Sequence, residues 1–169
     1  AGVVPDVVTL GKPMSNGHPI GGVVANSETL NAFRKAFRYF NTFGGNPVSC
    51  AAAMAVLDVL EDERLVENAR VVGDHAQAGL RKLADKHDII GNVRGSGLFF
   101  GCELVLDKKT KEPATALATT VINEMRDRGV LMGKLGIHQN ATKIRPPMPF
   151  SKENADLMLS ALGDVLAGL

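Results

Sequence analysis

The chain has 169 residues, 45% of them hydrophobic, with 19 basic and 18 acidic side chains that leave a formal net charge of +1. That length and apolar share suffice for one ordinary domain or two small ones around a real core, while the balanced, interspersed charge offers no footprint for nucleic acid or an anionic membrane. Small molecules and sister subunits are the expected partners, and with no bilayer-length apolar run and no basic-then-apolar leader the chain reads as cytoplasmic.

Residues 7–10 form a short β-branched run that stops at Gly11, and residues 20–25 form a second, so the opening predicts strand, loop, strand. The loop between them, residues 12–19, contains Pro13, Asn16, Gly17 and Pro19, which resist regular structure. Ser27 is the expected cap of a short helix reaching about Lys35, and an aromatic-rich segment, residues 37–43, leads into Gly44 and Gly45. Asn46 followed by Pro47 is a helix start with a mechanism: asparagine caps free amides, and proline in the first helical position loses no needed hydrogen bond. This helix is expected to reach about Asp62, its small opening residues Ser49 to Ala53 permitting close packing.

A second helix, from about Glu63 to His87, carries Leu65, Ala69, Val72, Ala76, Leu80 and Leu83 on one side. Beyond Ile89 the pattern changes to two antiparallel strands about the glycines at 95 and 97. Residues 113–128 return to helical spacing through Ala116, Thr120, Ile122 and Met125, and Gly129 ends that helix. Residues 130–132 and 142–144 are expected as short strands, and Ser151 as the cap of a last helix carrying Leu157, Leu159, Leu162, Val165 and Leu166. The domain boundary falls within the long helices near residues 60–65. A strand pair makes no proper sheet by itself, so residues up to about 45 read as part of a domain whose remainder is missing, and an opening without Met reads as cut from a longer sequence.

Cys50 and Cys102, far apart and set among small or apolar neighbours, suit buried thiols in a reducing compartment rather than a disulfide. His18, His75, His87 and His138 lack metal-ligand spacing, so no metal site is expected, although His18 shares the loop that follows Gly11. Lys12 stands where open sheets place functional groups, at the end of a strand; by position alone it is a solvated charge or a reactive amine. Thr42, with the backbone amides around Gly44 ahead of the capped helix, offers a general anion site or simply a well-made turn. Lys143 and Arg145 flank one strand residue before a double proline, where a two-point contact with a substrate carboxylate competes with a surface ion pair.

The segment Thr9-Leu-Gly-Lys-Pro-Met-Ser-Asn-Gly-His-Pro-Ile-Gly-Gly-Val-Val24 resembles the Schiff-base lysine segment of class III (omega-type) aminotransferases, and Tyr39-Phe-Asn-Thr-Phe-Gly-Gly-Asn-Pro47 is similar to a second signature of that family. The hairpin around Gly95 and the Lys143–Ser151 segment continue the likeness, which extends from Pro5 through the final helix. It implies an α/β, fold type I chain: residues 1–62 as the end of the large cofactor domain with its linking helix, and residues 63–169 as the C-terminal α+β small domain. It further implies pyridoxal 5'-phosphate as cofactor, held through a Schiff base on Lys12, with Thr42 and Gly44 at the cofactor phosphate of the neighbouring subunit in a homodimer. Arg145 and Lys143 become the substrate-binding candidates, although the family's arginine commonly stands where this chain has Lys143. The implied activity is transfer of an amino group between an amine or amino acid and a 2-oxo acid. The same segments resemble the phospholyase branch, which acts on phosphorylated amines, and a non-catalytic dimerisation module is the alternative outside enzymology. The phosphate-gripping Gly/Ser loop, the ring-stacking aromatic and the aspartate at the ring nitrogen are not found in this sequence, so the chain alone is expected to be a poor catalyst.

Overall fold

Strand β1 (Val7–Leu10) pairs antiparallel with β2 (Gly22–Ala25), Val7 opposite Ala25 and Leu10 opposite Gly22. The computed structural model describes residues 2–169, and these fall into two compact units that meet in sequence at Glu63 and Arg64. In the first unit, helix α1 (Ser27–Ala36) follows the strand pair and helix α2 (Pro47–Asp62) ends it. The expected irregular loop after β1 is in fact ordered into a 3₁₀ turn over Lys12–Ser15, because Pro13 presets the helical φ near its start. The cap of α1 is also one residue earlier than expected: Asn26 accepts the amide of Thr29 at 2.8 Å, and Ser27 is the first helical residue. Asn46 and Pro47 start α2 as their types require, the Asn46 side chain accepting the Ser49 amide at 2.9 Å. Among the described residues of this unit only Ser15 and Ala53 are buried, and both faces of the strand pair remain exposed.

The second unit opens with Arg64 in the left-handed region (φ 51°), which breaks the helical path before helix α3 (Leu65–Ala84). Strands β3 (Ile90–Ser96), β4 (Phe99–Leu104), β5 (Gly133–Leu135) and β6 (Ala141–Lys143) form an antiparallel sheet in the order β3-β4-β6-β5. Helices α4 (Thr115–Asp127) and α5 (Lys152–Ala167) complete the unit. Its core joins Val72, Ala76 and Leu80 of α3 to Phe100, Cys102 and Leu104 of β4, and to Val121, Met125, Met158 and Leu162 from the other helices. Alternation along β4 sends Phe100, Cys102 and Leu104 inward and leaves Phe99 and Glu103 on the opposite face.

The α3 stripe buries as the periodicity predicts, whereas two other stripes are displaced. On α4 the buried residues are Ala118, Val121 and Met125, with Ala116 and Thr120 exposed; on α5 Leu157 is exposed and Ala155 and Met158 are buried in its place. Small alanines define these inward faces where helices approach closely, so counting only large apolar residues misplaces them. The strand expected at residues 130–132 begins instead at Gly133, after Gly129 ends α4 with a positive φ. Cys102 is buried as expected, but Cys50 is exposed on α2.

Two glycines are dictated by backbone proximity. A Cβ on Gly73 of α3 would lie 2.1 Å from the carbonyl oxygen of Gly97, and one on Gly101 would lie 1.9 Å from that of Thr142. The β4–β6 ladder is unusual there: the Thr142 hydroxyl accepts the Cys102 amide at 2.8 Å, so a side chain replaces a backbone partner inside the sheet.

Candidate active site

β1 carries the chain to Gly11, and Lys12 follows with φ 49°, a region that residues bearing a Cβ rarely occupy. Such backbone costs on the order of 1 kcal/mol or more and persists only where its surroundings impose it. Here Pro13 disfavours the right-handed α region for the preceding residue. The turn is then closed by amides donating in succession, Met14 to the Gly11 oxygen at 3.3 Å, Asn16 to Pro13 at 3.0 Å and His18 to Ser15 at 3.2 Å. Asn16, whose short polar side chain tolerates left-handed geometry, ends it. The Lys12 side chain is exposed and makes no hydrogen bond or ion pair among the described residues.

Around this turn lies a polar network that reaches α2. The buried Ser15 hydroxyl donates to the His18 carbonyl oxygen, and His18 Nε2 lies 2.8 Å from Ser49 Oγ in the first turn of α2. Asn46 Nδ2 donates to the same Ser49 Oγ at 3.0 Å and to the Phe43 carbonyl at 2.9 Å. The loop bearing Lys12 and the turn ahead of α2 are therefore joined through His18, Ser49 and Asn46. Only His18 among these was singled out from sequence as sharing the Lys12 loop. Ser49 was readable as part of the Asn46 cap, but its pairing across 31 positions has no local signal.

Thr42 is exposed at the start of the turn, its hydroxyl without a hydrogen-bond partner among the described residues. The expectation of free amides beside it is corrected. Asn41 Oδ1 accepts the amides of Phe43 at 3.1 Å and Gly44 at 3.0 Å, so the donors nearest Thr42 are already used by an asparagine turn. Gly44 consequently shapes the turn, and the Thr42 hydroxyl is left as a donor without a partner among the described residues.

The other two candidates sit in the second unit. Lys143 lies on β6 and Arg145 two residues later, on the same side of the extended chain, while Ile144 between them is buried and bridges to Phe100. The Arg145 guanidinium stands 5.9 Å from the centre of the Phe99 ring, a cation–π contact on the sheet face opposite this unit's core. On that face Arg94 Nη1 donates to Glu103 at 2.9 Å and holds its carboxyl below the ordinary carboxylate range. A hollow of about 320 Å³ opens there, lined by Arg94, Phe99, Glu103, Leu135 and Ala141. Asn68 of α3 donates to the carbonyls of Met148 at 2.7 Å and Phe150 at 3.0 Å, and so anchors the proline-rich exit that follows Arg145. Among the described residues no cluster of three or more His, Cys, Asp or Glu side chains is placed to hold a metal ion.

Residues 1–166 match the family described as aminotransferase class-III. The chain is 48% identical over 160 residues to alanine–glyoxylate aminotransferase 2 homolog 2, mitochondrial, of Arabidopsis thaliana, covering 95% of this chain and 33% of that protein. It is 43% identical over 166 residues to ethanolamine-phosphate phospho-lyase homolog 1 of Caenorhabditis elegans, covering 98% of this chain and 36% of that protein. Among solved structures, a phospholyase from Arthrobacter in complex with phosphoethanolamine superposes with a TM-score of 0.94 at 45% identity, over 99% of this chain and 40% of the other. An amine transaminase from an uncultivated Pseudomonas species, in its pyridoxal-phosphate-bound internal aldimine form, does so with a TM-score of 0.87 at 34% identity, over 99% and 39%. The chain thus spans about a third of the length of the curated relatives it matches, and the fold type I expectation is borne out.

Proposed function

The chain belongs to the class-III aminotransferase family, and from that membership we propose that it is part of an enzyme that uses pyridoxal 5'-phosphate to move an amino group between an amine or amino acid and a 2-oxo acid. The observation that carries this reading is Lys12, an exposed and unpaired amine held in left-handed backbone directly after a strand. A phosphorylated aldehyde needs a nucleophilic amine and hydrogen-bond donors for its phosphate. Lys12 and the Thr42 hydroxyl, each without an internal partner among the described residues, are groups of those two kinds. When bound, the cofactor supplies the electron sink. Lys12 Nζ would hold it, and the same nitrogen would take a proton from the substrate carbon as the neutral amine and return it as the ammonium. Thr42 serves the phosphate at the neighbouring subunit's site, which makes the functional particle a homodimer. Residues 1–62 are then the end of the cofactor domain with its linking helix, and residues 63–169 the small domain. Arg145 and Lys143 orient the substrate's anionic end, Arg145 with its guanidinium already braced against Phe99. A cytosolic location belongs to the same proposal, with the mitochondrial names among the relatives marking the competing address.

A second reading, lysis of a phosphorylated amine, is favoured by two cations on one side of the same extended segment and by the likeness to a phospholyase that binds phosphoethanolamine. Incubating the intact enzyme with phosphoethanolamine, and separately with an ω-amino acid plus pyruvate, separates the two. Alanine formation without phosphate release is expected for the first reading, and phosphate release contradicts it in favour of the second. For the shared premise, adding pyridoxal phosphate produces a new visible absorbance band that Lys12→Ala loses; identical spectra for the two proteins contradict it.

A further inference from the structure

We propose that His18, Ser49 and Asn46 form a latch that couples the Lys12 turn to the Thr42 turn, with His18 and Ser49 as positioning residues for both. Four contacts define it. Ser15 Oγ donates to the His18 carbonyl, fixing the backbone of the Lys12 loop; His18 Nε2 meets Ser49 Oγ at 2.8 Å; Asn46 Nδ2 donates to Ser49 Oγ at 3.0 Å; and the same amide group donates to the Phe43 carbonyl at 2.9 Å, next to Thr42. Ser49 is the hinge of this arrangement, since its Oγ accepts a hydrogen bond from Asn46 Nδ2 and shares a second with His18 Nε2.

Capping alone does not require this chain of contacts. Asn46 Oδ1 already satisfies the Ser49 amide, so the cap of α2 does not need the hydroxyl at 49. The Ser49 hydroxyl and the His18 ring add a link between two turns that are 31 positions apart and otherwise closed by their own backbone bonds. Lys12 pays a conformational cost for its left-handed backbone, and a neighbouring anchor opposes its relaxation. That Lys12 holds the cofactor and Thr42 its phosphate rests on the proposed function; the latch itself does not.

Hydrogen–deuterium exchange of the full chain without cofactor tests the latch directly. Ser49→Ala, which leaves the backbone and the Asn46 cap in place, should speed exchange of the amides of Met14, Asn16 and His18 by roughly three- to tenfold, the loss of one partly buried hydrogen bond. His18→Ala should produce a similar rise at Gly44 and Asn46, and His18→Gln, whose amide reaches about as far as Nε2, should restore most of the protection. Amides of α3 and α5 in the second unit serve as the reference that excludes general unfolding. If His18→Ala unfolds the first unit, Ser49→Ala decides alone. Exchange that rises only in the substituted segment, or in neither, overturns the proposal. In the intact enzyme the same two substitutions should shorten pyridoxal phosphate retention severalfold, with the double variant no worse than the single ones. Coupled exchange with unchanged retention overturns the positioning role and leaves only a structural link, whereas loss of retention in Lys12→Ala with no coupled exchange removes the latch and leaves the proposed function standing.

Discussion

Lys12 and Cys102 show how far a residue's type alone predicts its behaviour. Cys102 is completely buried in β4, and burial pushes its thiol from 9.0 to about 11, with the Thr142 hydroxyl bond opposing only part of that rise. Because the folded state holds this proton more tightly than the unfolded one, its contribution to stability is intact below pH 9 and is lost between pH 9 and about pH 11. The loss amounts to about 2 to 3 kcal/mol at completion. Denaturant titrations at pH 8 and pH 11 should show this component in the wild type and not in Cys102→Ala. A thiol reagent at neutral pH should modify Cys50, which is exposed, and spare Cys102 until the protein unfolds. Both cysteines have small or apolar neighbours in sequence, so the difference between them was illegible until α2 was seen to present Cys50 outward. Lys12 is the opposite case: a long, specific local signature identified it and Pro13 restricts its backbone locally, while the contact of its loop with Ser49 through His18 depends on packing that no local pattern reports.

Elements whose ends are written in single residue types were the legible ones. Asn46-Pro47 starts α2 and Ser151 caps α5, the latter accepting the Asn154 amide at 3.2 Å. The α3 stripe was equally clear, because large residues mark its buried side. What was misplaced were the first turns of the α4 and α5 stripes, whose inward faces use Ala118 and Ala155 while Met125, Leu162, Val165 and Leu166 bury as expected, and β5, whose short course is fixed by pairing with β6. Glycine contacts belong to this scale too. Gly73→Ala forces a Cβ onto the Gly97 carbonyl, so α3 must retreat from the β3–β4 hairpin; the expected cost is about 1–3 kcal/mol or more, read as a lower denaturation midpoint. An unchanged midpoint would show that the helix and hairpin do not touch as described. In the turn before α2 the proposed anion contact was half legible, since the Thr42 hydroxyl has no partner among the described residues while Asn41 consumes the amides next to it.

The whole molecule is uneven in a way that composition hides. A 45% apolar chain has its large buried side chains concentrated in the second unit, whereas Phe37, Tyr39, Phe40, Phe43 and both faces of the strand pair are exposed in the first. Limited proteolysis of the chain should therefore cut first within residues 26–45 and leave a resistant product close to Arg64–Leu169, identified by its mass. Cleavage that begins in α3 or α5 would contradict this ordering. No helix among the described residues is long and apolar enough to cross a membrane, so that exposed surface is not matched by a spanning segment. The family could be read from two segments, around Lys12 and Thr42, because each resembles a family signature over many consecutive residues. The anion that Lys143 and Arg145 are proposed to meet could not, since two cations on one extended segment suit a carboxylate and a phosphate alike. The proposed chemistry depends on where a phosphorylated aldehyde attaches. Borohydride reduction of the intact enzyme with pyridoxal phosphate, followed by peptide mapping, should place the label on Lys12; a label on another lysine, or none at all, would contradict it.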